Sequence, residues 1–160
     1  MKNGHITLRL ILMNFLEFAI WGAYLTSMGS YLAQIGLGAK IWLFFAMQGF
    51  VSIFMPALIG IIADKWIPAQ KALSICHGLA GVFMLGAGFY AITSGSNIQF
   101  GPFFTLYSFS VAFFMPTIAI SNSVAYYSLE VNDQDPVKAF PSIRIFGTIG
   151  FICSMLFVNF

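Results

Sequence analysis

Charge is what this chain has least of. Asp, Glu, Lys and Arg together make up 8% of its 160 residues, where a soluble domain carries about 25%. Between Ala72 and Leu129 there is none at all. That tract excludes an ordinary water-soluble domain, because it holds two bilayer-crossing helices of about 20 residues each with a turn between them. Cysteine is also scarce: Cys76 and Cys153 lie in separate apolar runs, fit no CxxC or metal spacing, and read as buried free thiols. The seven basic residues are scattered and leave a net charge of only +2, which excludes a nucleic-acid surface. No P-loop, HExxH, GxGxxG or nucleophile elbow occurs, so neither an enzyme, a cofactor nor a metal has a foothold.

What the chain has instead is grease: 59% hydrophobic residues, with Phe at 19 positions. Hydrocarbon cannot hydrogen-bond peptide groups, so only helices or closed barrels cross a bilayer. The apolar runs here are continuous rather than alternating, which selects helices. The reading is an all-α membrane protein of five transmembrane helices, over residues 8–33, 41–63, 72–92, 102–127 and 142–160. Turn residues separate them: Gly36 and Gly38, then Pro68, then the Ser, Gly and Asn of 93–101, then the polar segment 129–141. Ser142, following Pro141, is expected to cap the fifth span. Pro56 and Pro116 fall inside spans and are expected to kink them. The first run continues past Tyr31 without a small-residue cleavage site, so it reads as a span rather than a signal peptide. Five spans ending about one helix after Pro141 read as a fragment of a larger protein.

Basic residues give the orientation. Lys2, Arg9, Lys65, Lys71, Lys138 and Arg144 fall on one side and only Lys40 on the other, which puts the N-terminus in the cytoplasm. Tyr31, Trp42, Trp66, Tyr90, Tyr126 and Tyr127 lie near span ends, where an aromatic belt is expected.

A few side chains are more polar than a greasy bundle needs. Glu17 lies about 12 Å deeper along its helix than Arg9. An intramembrane carboxyl is costly and normally faces a cavity or an internal partner. Asn14, Glu17, Trp21, Tyr24 and Met28 follow steps of three and four and share one face. That stripe reads as a cavity lining or proton-coupling surface; the alternative is a neutral Glu held for packing. Arg144, Thr148 and Phe151 share a face of the fifth span and offer a cation, a hydroxyl and a ring, a set that can orient a polar ligand with a ring-shaped body. Arg144 has two rival readings, snorkelling to headgroups and pairing with Glu17. Gly147, Gly150 and Ser154 suggest close helix packing on another side. Gln48, Ser52, His77, Ser121, Asn122 and Ser123 read as interhelical glue.

Gly60, then three residues, then Asp64-Lys65, with Lys71 beyond, resembles the cytoplasmic loop of the major facilitator superfamily. Its acid and bases can clamp neighbouring helix ends during gating. A closer resemblance covers nearly the whole chain. The segments 16–31, Phe54-Met55-Pro56-Ala57-Leu58-Ile59-Gly60-Ile61-Ile62-Ala63-Asp64-Lys65-Trp66, Ile75-Cys76-His77 and Phe140-Pro141-Ser142-Ile143-Arg144-Ile145-Phe146-Gly147-Thr148-Ile149-Gly150-Phe151 look like bacterial nucleoside:proton symporters of that superfamily. The resemblance implies most of the N-terminal six-helix half of a twelve-span inner-membrane transporter. It implies nucleoside and proton as partners within the lipid bilayer, with the C-terminal half supplying the rest of the cavity. It also implies that Arg144, Thr148 and Phe151 line the nucleoside site. The rivals are a sugar/proton symporter of the same superfamily and a non-transporting membrane bundle.

Overall fold

A computed structural model describes residues 2–159, with side chains described for 5–95 and 97–158. The described residues form five long helices: α1 (Lys2–Gln34), α2 (Ile41–Lys65), α3 (Ala69–Ser94), α4 (Phe100–Val131) and α5 (Pro136–Asn159). Each is long and apolar enough to cross a membrane. Short 3-10 turns, Gly38–Lys40 and Gly95–Asn97, lie in the first and third connections.

Two helices close with the same hydrogen-bond motif. At the end of α1, Leu37 N–H donates to Leu32 C=O (2.8 Å) and Gly36 N–H to Ala33 C=O (3.3 Å). Gly36 sits between them at φ +80°, the left-handed conformation such a closure requires. The end of α4 repeats the motif without glycine. Gln134 N–H donates to Leu129 C=O (3.0 Å) and Asp133 N–H to Glu130 C=O (3.1 Å), with Asp133 at φ 55°. Asp is among the few residues that tolerate this conformation.

The polar segment 129–141 is therefore mostly helical, and the fifth helix does not start at Ser142. Asp135 Oδ1 accepts the Val137 N–H (3.0 Å), and Pro136 occupies the first helical position, where its missing N–H costs nothing. Pro141 lies inside α5; in the second turn it deletes a single ladder bond. Helices α1, α3 and α4 likewise run past the expected spans. Hydropathy marks the part of a helix that sits in hydrocarbon, and the turns beyond it can carry charge.

The chain forms two compact units: Met1–Ser30 with Ser121–Phe160, and Tyr31–Ile120. In the first, Leu10, Ala125, Leu129, Phe140 and Ile143 make a buried cluster, against which Ile11, Met13 and Ala139 pack. Glycines bring α1 and α5 into backbone contact. A Cβ on Gly22 would stand 2.6 Å from Phe151 C=O and 2.6 Å from Ser154 Oγ, and one on Gly150 would collide with Phe15 C=O. The close packing read from Gly147, Gly150 and Ser154 is thus directed at α1.

In the second unit the buried Phe44 ring of α2 meets Phe100, Phe103, Phe104 and Tyr107 of α4 at centroid distances of 5.0–6.1 Å. Helix α3 buries a seam of small residues, Ala72, Cys76, Ala80, Ala87 and Ala91. Small side chains let a neighbouring helix approach closely. Ser110 of α4 uses that proximity, its hydroxyl donating to Ala80 C=O at 2.8 Å.

Polarity is inverted relative to a soluble protein. Asn14, Glu17, Ser110, Thr117 and Ser121 are buried, while Leu8, Leu12, Leu16 and Ile20 form an exposed row along α1. Helices α2 and α3 also show large apolar residues outward, and Trp42 and Trp66 stand exposed near helix ends. Lipid is the solvent this surface fits. Of the two cysteines only Cys76 is buried; Cys153 is exposed, on a face of α5 whose neighbours Ile149, Ile152 and Leu156 are exposed too. A thiol is apolar enough for lipid, so an apolar run did not imply burial.

Candidate functional site

Helices α1 and α5 bring four groups of the first unit into a continuous chain. The Arg144 guanidinium carbon lies 3.8 Å from the centroid of the Phe18 ring. Phe18 is tilted against Trp21 at 5.9 Å, and Trp21 meets Phe151 edge-on at 5.8 Å. Arg144 and Phe151, expected together from their spacing on α5, are therefore joined through two rings of α1. Arg144 thus makes a contact that its spacing on α5 does not announce, a cation–π contact with an aromatic ring of α1. Attraction of a guanidinium to a ring face is worth about 0.5–2 kcal/mol, most where water is excluded. Thr148, on the same face of α5, is exposed and outside this chain of rings.

Phe18 was not singled out by sequence reasoning. It stands one residue off the polar stripe and is one of many phenylalanines. The available signal was its spacing, three residues before Trp21 and four after Asn14, which places it on the same flank of α1.

The stripe itself turns inward. Asn14 and Glu17 are 0% and 2% exposed, Met28 is buried, and Trp21 and Tyr24 are half-buried. Asn14 Nδ2 donates to Leu10 C=O at 3.1 Å. Its Oδ1 and the Trp21 indole N–H are buried without a hydrogen-bond partner. Each such orphan costs about 1–3 kcal/mol in a folded protein. A packing-only helix would have little reason to keep them.

The α2–α3 connection presents a different surface. Asp64 and Lys65 line an open depression of about 300 Å³ with Ala63, Trp66, Ile67 and Pro68. Asp64, Lys65 and Lys71 are exposed, and a Cβ on Gly60 would meet nothing within 4 Å. Gly60 and Lys71 do not line the depression, so the four loop residues do not form one pocket. No group of His, Cys, Asp and Glu suited to a metal occurs among the described residues.

The sequence pattern described as nucleoside H+ symporter matches residues 4–160. The chain belongs to that family. Within it, the chain is 41% identical over 156 residues to the xanthosine permease of Escherichia coli (strain K12), covering 96% of this chain and 36% of the permease. It is 37% identical over 157 residues to the nucleoside permease NupG of the same organism, covering 97% of this chain and 36% of NupG. A crystal structure of a mutant of the nucleoside transporter NupG superposes with a TM-score of 0.85 at 36% identity, covering 96% of this chain and 37% of that one. The chain thus spans little more than a third of the relatives it matches. The symporter-family fold places the five helices as the N-terminal portion of a major facilitator transporter. These relatives are transporters, not enzymes. The chain is a multi-pass protein of the bacterial inner membrane.

Proposed function

We propose that this chain is the N-terminal part of a proton-coupled nucleoside transporter that works by alternating access, with the C-terminal half closing the cavity. The observation that carries the reading is the Arg144–Phe18–Trp21–Phe151 chain on α1 and α5, in a member of a nucleoside H+ symporter family. A nucleoside needs an aromatic surface for its base and fixed donors for its oxygens. Phe151 and Trp21 offer the first. Arg144 and the accessible hydroxyl of Thr148 offer the second. Glu17, a buried carboxyl on the neighbouring helix, is the group assigned to the proton, with Tyr24 in the same stripe. Rocking of the two halves around the midplane site would expose it alternately to each side.

The N-terminus is assigned to the cytoplasm from the excess of basic residues on that side. Gly60, Asp64, Lys65 and Lys71 then form a cytoplasmic gating surface. The open space beside Gly60 and the exposed charges support a partner from the second half at this end.

The test is uptake of radiolabelled uridine by the whole transporter in energised cells. Arg144→Ala should raise KM at least tenfold. Adenosine should compete with uridine, and glucose and lactose should not. Glu17→Gln should abolish the stimulation of uptake by an inward proton gradient. Unchanged KM in Arg144→Ala, Thr148→Ala and Phe151→Ala would instead mark the bundle as structural, and competition by sugars would mark a sugar symporter.

A further inference from the structure

Arg144 has long, flexible side-chain torsions, so binding a nucleoside through it requires something to hold the guanidinium in place. Phe18 is 3% exposed, and the Arg144 guanidinium carbon stands 3.8 Å from its centroid. Gly147, one turn along α5 from Arg144, makes the seat. A Cβ there would stand 2.8 Å from Arg144 Nη1 and 2.8 Å from Phe18 Cδ2. Both distances are shorter than real Cβ contacts ever are. A side chain at residue 147 would therefore force the guanidinium or the ring out of this arrangement. Phe18 in turn packs at a tilt against Trp21, with ring centroids 5.9 Å apart.

We propose that Phe18 and Gly147 are positioning residues for substrate recognition: the ring holds the Arg144 guanidinium over its face, and the bare α5 backbone leaves room for the pair. This rests on Arg144 being a nucleoside-binding residue. Arg144 meets the substrate already immobilised, with one face against the ring and its N–H groups left to donate outward. The ordering cost of a flexible cation is then met by the fold rather than by the ligand. Phe18 itself touches no substrate in this arrangement.

The experiment is a mutant cycle on the whole transporter, reading uridine uptake in cells and uridine binding by calorimetry on the detergent-purified protein. Phe18→Leu keeps apolar bulk but removes the ring. It should weaken uridine binding and raise KM by about 3- to 30-fold, the range a ring–cation contact supports, with Vmax within about twofold. Phe18→Tyr should restore near-native KM, because the ring face is kept. In an Arg144→Gln background, Phe18→Leu should have no further effect on binding. Gly147→Ala should reproduce the KM increase, and provides an independent variant should Phe18→Leu fold poorly. An unchanged KM in both Phe18→Leu and Gly147→Ala overturns the proposal. So does an equal loss from Phe18→Leu with and without Arg144. Native uridine affinity in Arg144→Gln alone would be a different failure, since it removes the nucleoside-binding role of Arg144 itself.

Discussion

Gly150→Ala is the sharpest perturbation of the α1–α5 contact. The added Cβ would land on the Phe15 carbonyl oxygen and stand 3.0 Å and 3.1 Å from the Phe15 carbonyl carbon and Cα. All three are backbone atoms of a continuous helix, so no rotamer change can clear the space and α5 must back away. Overpacking a tight contact costs about 1–3 kcal/mol, and backbone obstruction belongs at the top of that range. Alanine returns about 1 kcal/mol through its better helix propensity. The net is a destabilisation of about 2 kcal/mol. For a cooperative unit of this chain's length, that lowers Tm by about 4–8 °C. Gly60→Ala is the internal control. A Cβ there meets nothing within 4 Å, so only the propensity gain remains and Tm should stay level or rise by about 2–4 °C. Thermal unfolding of the two purified variants in the same detergent makes the comparison. Equal melting temperatures for Gly150→Ala and Gly60→Ala would refute the backbone-contact argument.

Two further substitutions probe the packing. Asp135→Ala removes the acceptor of the Val137 N–H and should cost about 1 kcal/mol, while Ser142→Ala, inside α5, should leave Tm unchanged; the reverse order in a melting experiment would return the helix start to Ser142. Ser110→Ala deletes the hydroxyl bond from α4 to Ala80 C=O. It should lower stability by about 0.6–1.7 kcal/mol, read as a Tm drop absent from the exposed control Ser52→Ala.

Helix ends were partly legible in the sequence. Gly36 announced the end of α1 because left-handed backbone is cheap only without a Cβ. Asp133 performs the same task at the end of α4 and was hidden among other polar residues. Pro141 suggests a boundary for the fifth helix, but Asp135-Pro136 makes the stronger start. Residue spacing correctly put Arg144, Thr148 and Phe151 on one face. It did not separate the exposed Thr148 from the two residues that reach α1.

The sequence by itself determined that the chain crosses a membrane as helices, since uncharged runs of that length have no other way to satisfy their peptide groups. It also determined which residues are too polar for lipid and so must turn inward. Only the tertiary structure decided what those residues meet. Arg144 meets the Phe18 ring because Gly147 and Gly150 let α5 lie against α1. That approach depends on which faces of two helices distant in sequence come together, and no local pattern of residues encodes it.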